Sequence, residues 1–300
     1  MTEPAGQPVE ILIPYVGDRA LLEVAVHSVQ RQWDPSWRLL VVEDGPQGTG
    51  CGEWLAALND DRITHLVNPR NLGLARNFQH CLESSRCERI VFMGCDDALL
   101  PNYVDLVRAA ARLFPVAAAI SPAVEVIDNW GHRARPLTDR VKSALAPKPQ
   151  SATVYSGQPL LSSLMLGNWA YFPAICWSRE QVLALGFRAD LPVTLDLALL
   201  AEVILAEGEL VLLPETAFQY RRHHMSVSSR AADNASRFAE EERLYAELTA
   251  ACRARGWEDA ARASRIHATS RLHAASLLLP TLQSRDVIAT RRLAKHVVGF

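Results

Sequence analysis

Short β-branched runs alternate with amphipathic helical patterns across the first 120 residues, and this alternation narrows the possible folds more than any other feature of the chain. Val9-Glu-Ile-Leu-Ile13 reads as a strand stopped by Pro14. Asp18 to Gln32 carries apolar residues at Leu21, Leu22, Val24, Ala25, Val26 and Val29, a helix with one buried side. Arg38 to Val42 is a second strand, ended by the turn signal Glu43-Asp44-Gly45-Pro46. The pattern repeats as a helix near Gly52 to Leu58, a strand Ile63 to Val67, a helix Leu74 to Ser84 and a strand Arg89 to Met93. A helix then starts after Pro101, whose missing N–H is harmless in a first turn, and Ala117 to Ser121 makes a fifth strand. Such alternation predicts an α/β fold: a doubly wound, mostly parallel sheet with helices on both faces. Ligands in these sheets sit beyond the carboxyl ends of the strands. Four polar clusters fall at those ends: Pro14-Tyr15, Glu43-Asp44, Asn68 to Asn71, and Asp96-Asp97.

Farther along, residues 128–158 are rich in Pro, Arg and Ser and read as a long loop, a candidate substrate lid. Ala170 to Trp177 is an aromatic-rich strand candidate, Asp196 to Glu207 an amphipathic helix, and Leu210 to Leu213 a strand. Trp169, Tyr171, Phe172 and Trp177 suit a core better than an acceptor platform. Beyond Arg230 the pattern is almost wholly helical, with Gly256 a break. The chain therefore divides into a domain over 1–230 and a helical extension over 231–300. That extension is a candidate for covering the acceptor site, for a homodimer contact or for membrane docking, though its mixed charges weaken the last. His267 and His273 are six apart, a poor spacing for one helix face, so no metal is expected there.

A formal net charge of -2 argues against generic nucleic-acid binding, which calls for a basic balance. The opening MTEPAGQPVE has no signal-peptide pattern, and no apolar run is long enough for a transmembrane segment, so a cytoplasmic protein is expected. Six cysteines form no CxxC pair and no zinc spacing, which leaves them as free thiols. Cys95 reads as a small core residue at a strand end.

The stretch FMGCDDALLP, Phe92 to Pro101, ends an apolar run with two adjacent carboxylates and returns at once to apolar residues. Like charges repel, and no basic neighbour in the segment relieves them. A solvated turn is one explanation; a bound cation, which offsets the repulsion, is the other.

Taken in order, several motifs resemble those of the family 2 glycosyltransferases with the GT-A fold, over roughly residues 8–230. ILIPYVGDRALLEVAVHSVQRQ resembles the opening strand, Pro-x-Tyr turn and following helix. VVEDGP resembles the Asp-Asp-Gly-Ser element, with Glu43 and Pro46 as departures. NPRNLGLARN resembles the Asn-x-Gly-x-x-x-Ala-Arg-Asn segment in a shorter form. FMGCDDALLPNY resembles the metal-binding Asp-x-Asp-Asp motif, with Gly94 in place of its first aspartate. YRRHHMSVS resembles the late Tyr-Arg-x-His-x-x-Ser-x-Ser element.

The resemblance implies an inverting enzyme that moves a sugar from a nucleoside-diphosphate sugar, UDP or dTDP foremost, to an acceptor hydroxyl with the help of Mn²⁺ or Mg²⁺. It implies Asp97 as the direct metal ligand, Asp96 facing sugar or ribose hydroxyls, and His223 closing the metal site, an imidazole that favours Mn²⁺. It implies Tyr15, Pro14 and Asp44 at the base, with Asn71 and Arg76 or Arg70 near the base or diphosphate. Asp196, in PVTLDLALL, corresponds to the late acidic residue that acts as base; Leu195 replaces the partner acid, and a helix-capping role competes. Two other readings remain: a nucleotidyltransferase on a similar fold, for which PYVGDRA supplies too few glycines, and a non-catalytic sugar-nucleotide-binding scaffold, favoured only by Gly94.

Overall fold

The computed structural model describes residues 7–222, 236–283 and 286–298. Its first half follows the alternation: β1 (Val9–Tyr15), α1 (Arg19–Gln30), β2 (Trp37–Glu43), α2 (Cys51–Ala57), β3 (Ile63–Val67), α3 (Leu74–Ser84), β4 (Arg89–Phe92), β5 (Ala98–Leu99), α4 (Tyr103–Leu113) and β6 (Ala119–Ile127). There follow α5 (Leu137–Leu145), β7 (Thr153–Tyr155), α6 (Gly157–Gly167), β8 (Cys176–Ser178), α7 (Arg179–Leu185), α8 (Leu195–Leu205) and β9 (Leu210–Arg221). The last helices are α9 (Ser236–Ala254), α10 (Glu258–Ile266), α11 (Ala268–Gln283) and α12 (Val287–Val298).

Among the described residues the strands form one sheet in the order β3-β2-β1-β4-β8-β6-β9-β5, with β7 pairing β9. β3, β2, β1 and β4 are mutually parallel, as are β6 and β9, whereas β8, β5 and β7 run antiparallel to their neighbours. The strands send alternate residues to two apolar layers. Ile11, Ile13, Leu39 and Val41 pack with α1, α2 and α4 on one face. Leu12, Leu40, Val42 and Phe92 pack with α3, α6 and α8 on the other.

Three expectations about elements change. Pro14 does not stop β1, which runs on to Tyr15. Pairing with β4 ends at Leu12↔Phe92, so the donor that Pro14 lacks has no partner strand to miss. Residues 128–158 are not a plain loop, because they contain α5 and β7. The buried residue of α5 is Asp139 while Leu137 is exposed, so its docking is polar and leaves no hydrophobic periodicity to read. Ala170 to Trp177 is only partly strand: Phe172–Ala174 is a 3₁₀ turn around Pro173, and β8 starts at Cys176.

The C-terminal helices break at Gly256, whose φ is 72°. Leu244, Tyr245 and Leu248 of α9 and Ala260 and Ala261 of α10 share an apolar cluster with α6 and α8. Phe238, Ala274, Ala289 and Leu293 form a smaller cluster between α9, α11 and α12. Among the described residues no helix is long and apolar enough to cross a membrane. All six cysteines are free, and five are buried.

Candidate active site

The acidic pair sits at the end of β4, and the residues after it explain the abrupt return to apolar character. Ala98 and Leu99 fold back against β9, paired with Gln219 and Phe218, and are buried. The turn joining β4 to β5 thus brings Asp97 against β9. Asp97 is 1% exposed, and its Oδ1 accepts the backbone N–H of Arg221 at 2.9 Å. Asp96 is more open. Arg221 braces the turn further: its Nε donates to the Asp96 carbonyl at 2.7 Å and its Nη1 to the Asp128 carbonyl at 2.8 Å.

Gly94 lies beneath both carboxylates. A Cβ there would stand 2.7 Å from Asp96 Oδ1 and 2.7 Å from Asp97 Oδ2, so the two acids occupy the space that a side chain at 94 would need. Burial raises the Asp97 carboxyl well above the usual range, and the charge of Asp96 raises it further. Two carboxylates crowded on one turn are a donor set that suits a hard divalent cation. Cys95 donates weakly to the Val16 carbonyl, and its thiol is pushed up to about 12 by burial and by the two acids, so it is an inert neighbour.

Asp44, expected at the base, is bonded within the chain to the loop that follows β3. It is 1% exposed; Oδ1 accepts from Asn68 Nδ2 at 2.9 Å and Leu72 N at 2.7 Å, and Oδ2 from Gly73 N at 2.9 Å. Asn68 also donates to Asn77 Oδ1, and Asn77 to the Val42 carbonyl. The asparagines of NPRNLGLARN therefore hold the loop 68–73 against β2. Tyr15 is fully buried and its hydroxyl donates to the Gly17 carbonyl at 2.8 Å. Pro14 is half-buried, and Asn71, Arg70 and Arg76 are exposed along the same rim. His223 lies outside the described residues.

Asp196 is in the first turn of α8, where Thr194 rather than Asp196 holds the cap position. Its Oδ1 accepts the N–H of Leu197. Tyr220 connects it to the acidic pair: burial raises this phenol, and the charges of Asp97, Asp96 and Asp196 all add to that rise.

Sequence reading missed a second polar group beside them. Asp139 of α5 is 5% exposed and accepts from Tyr171 Oη at 2.8 Å and from Arg222 Nε and Nη2 at 3.0 and 2.9 Å. Burial opposes its charge, but Arg222 and Tyr171 hold the carboxyl below its usual range. Lys142, over the Tyr171 ring, is pulled down to about 8 by burial and by Arg222, against the attraction of Asp196 and Asp139. Asp139 and Tyr171 border a cleft of about 870 Å³ walled by β6, β9 and α5, which Trp169, Arg135, Arg140 and Lys148 also line. Trp169, Phe172 and Trp177 all belong to the buried core.

The profile of glycosyl transferase family 2 matches residues 10–178, more than half of the chain and all of the strands from β1 to β8. The chain belongs to glycosyl transferase family 2. Among curated proteins, "Uncharacterized protein MT1568" of Mycobacterium tuberculosis (strain CDC 1551 / Oshkosh) is 27% identical over 195 residues, covering 63% of this chain and 59% of that one. The match thus spans under two thirds of that relative's length. Among solved structures, S. aureus TarS 1-349 in complex with UDP-GlcNAc superposes with a TM-score of 0.69 at 12% identity, over 97% of this chain and 82% of that one. The mannosyltransferase PcManGT from Pyrobaculum calidifontis, in complex with GDP-Man and Mn²⁺, gives 0.60 at 15% identity, over 99% and 81%. The family 2 chain described here shares their GT-A fold, with a mostly parallel sheet and C-terminal helices.

Proposed function

We propose that this family 2 chain is a metal-dependent, inverting glycosyltransferase that moves a sugar from a UDP- or dTDP-linked donor onto an acceptor hydroxyl in a single displacement. The observation that carries the reading is the turn that ends β4, where the Asp96 and Asp97 carboxylates crowd the space above Gly94 and Asp97 is fastened to the Arg221 N–H of β9. The complexes of TarS with UDP-GlcNAc and of PcManGT with GDP-Man and Mn²⁺ support a nucleotide-sugar donor and a divalent cation.

Within that reading the roles of the acidic pair exchange relative to the sequence expectation. Asp96, the more open carboxylate, holds the cation, Mn²⁺ or Mg²⁺; Asp97, fixed to the Arg221 N–H, keeps the turn in place and lends its charge. His223 remains the candidate for a further ligand and would favour Mn²⁺. A bound divalent cation offsets the negative charge that develops on a departing diphosphate. Asn71 and Arg76, exposed on the rim, face the donor nucleotide, whereas Tyr15 and Asp44 act by shaping the strand ends behind it.

Asp196 takes the proton of the acceptor hydroxyl as that oxygen attacks the anomeric carbon. It stands in the first turn of α8, where its Oδ1 accepts the Leu197 N–H. The acceptor lies in the cleft beside α5, against Trp169 and Tyr171.

Incubating the protein with UDP- and dTDP-sugars and Mn²⁺ tests the assignment. Metal-dependent release of nucleoside diphosphate, abolished in Asp96→Ala, is expected. Release of pyrophosphate identifies nucleotidyl transfer instead, and the absence of any product across the panel contradicts an enzymatic role.

A further inference from the structure

We infer that a second metal site, selective for Zn²⁺, lies between the end of β2, the middle of β3 and the start of α2, built from Glu43, His65 and Cys51. The three donor atoms lie within 4.8 Å of one another. His65 Nε2 is 3.2 Å from Glu43 Oε2 and 4.0 Å from Cys51 Sγ. A tetrahedral zinc with ordinary bond lengths spaces its nitrogen and oxygen ligands about 3.4 Å apart and its nitrogen and sulfur ligands about 3.6 Å apart. The two His65 separations need only a few tenths of an ångström of adjustment, and the Cys51–Glu43 pair, within 4.8 Å, closes by side-chain torsion.

Each ligand is held by a different element. Glu43 ends β2 and is 6% exposed; the Gln47 N–H takes its Oε1 at 2.8 Å and leaves Oε2 toward the imidazole. Cys51 opens α2 and is 1% exposed. His65 is on β3 with an 18% exposed side chain, so solvent reaches the fourth position, which water completes. Gly52 makes the approach possible. A Cβ at position 52 would come within 3.1 Å of both His65 Cε1 and Nδ1 and would force the ring away from Cys51.

The donor set selects the metal. A thiolate and an imidazole favour zinc over magnesium or manganese, whereas the acidic pair at β4 offers only hard oxygens. β2 and β4 are separated by β1, so the two sites stand roughly 10 Å apart at ordinary strand spacing. On ligation Cys51 gives its thiol proton to solvent, and its sulfur, the His65 nitrogen and the Glu43 oxygen each donate an electron pair without any redox change. The ion ties the turn 44–50 to β2 and β3, directly behind the loop that Asp44 organises.

Cobalt(II) is the direct probe, since thiolate ligation gives an intense near-ultraviolet charge-transfer band and tetrahedral geometry gives strong visible bands. The full chain, stripped with chelator and titrated with Co²⁺ without nucleotide, is expected to develop both at one equivalent and to lose both on addition of Zn²⁺. Cys51→Ser removes the charge-transfer band and His65→Gln weakens binding at least tenfold, while Cys95→Ser and Asp96→Ala leave the spectrum unchanged. Far-ultraviolet circular dichroism checks that each variant is folded. A band that persists in folded Cys51→Ser, that disappears in Cys95→Ser, or that never forms overturns the site. Because no donor sugar is present, the outcome is independent of the transferase assignment.

Discussion

Asp97 and Arg221 are joined through a carboxylate oxygen and a backbone N–H at 2.9 Å, which fastens the end of β4 to the end of β9. β4 belongs to the parallel half of the sheet and β9 to the half that carries Tyr220 and Arg222, so this contact sets the two halves of the site against each other. The same turn leaves Asp96 half-buried beside it.

Asp97 ionises against burial and against Asp96, so its pKa is raised in the folded chain. A carboxyl with a raised folded pKa binds its proton more tightly folded than unfolded. Stability of the metal-free protein therefore falls as pH rises from about 4, the unfolded aspartate value, through the folded one. A divalent cation reverses this by favouring the ionised form. The thermal stabilisation given by Mn²⁺ should grow as pH rises, and calorimetry in buffers of different ionisation enthalpy should detect proton release while Asp97 is still partly protonated. Stabilisation that does not change with pH argues against the coupling.

Restoring an aspartate at Gly94 should not improve the protein. The Cβ alone meets both carboxylates at 2.7 Å, and a third acid adds like charge. Gly94→Asp is expected to lose roughly 1–3 kcal/mol of stability, the usual range for overpacking, and to bind Mn²⁺ no more tightly than the parent. Chemical denaturation and metal titration read the two effects separately.

Asp44→Asn tests the positioning role of a residue whose sequence context suggested direct contact with the base. An amide in that place turns at least one of its own N–H groups toward the donors from Asn68, Leu72 or Gly73. A loss of about 1–3 kcal/mol in unfolding free energy is expected, with a higher KM for donor and a smaller change in kcat. A variant of parental stability with donor binding alone destroyed returns Asp44 to the base.

Asp139 makes a comparable case on the acceptor side. Its carboxyl is held low by Arg222 and Tyr171 despite burial, so the contribution of this pair is present above the unfolded aspartate value and is lost as pH falls through the folded one. Asp139→Asn should reduce stability at pH 7 by about 1–3 kcal/mol and flatten the acid limb of the stability profile below about pH 4. Urea unfolding across that range gives both numbers, and an acid limb identical to the parent's contradicts the assignment.

The sequence displayed the parts of the fold that follow from periodicity. β3 and α3 fall on the residues that their patterns mark, and most other early elements differ by a residue or two at their ends; β6, however, runs on to Ile127, six residues past the expected Ser121, and the two-residue β5 was not expected. The ordered motifs led to the family and to the acidic pair. What stayed hidden depends on partners distant in the chain. Tyr15 and Asp44 are polar residues at strand ends, yet nothing local reveals that one is sealed in the core and the other saturated by a loop 28 residues on. α5 carries its anchor on a buried acid, so neither an apolar stripe nor a cap marked it. Glu43, Cys51 and His65 have no zinc-like spacing because three separate elements bring them together.

The central claim, that the carboxylates ending β4 hold a divalent cation against a donor diphosphate, is tested most directly by thermal shift with UDP and dTDP, with and without Mn²⁺, in the parent and in Asp96→Ala. Stabilisation by at least one nucleotide that requires Mn²⁺ and vanishes in the variant is predicted. Nucleotide stabilisation that is equal without metal, or unchanged in Asp96→Ala, contradicts the account.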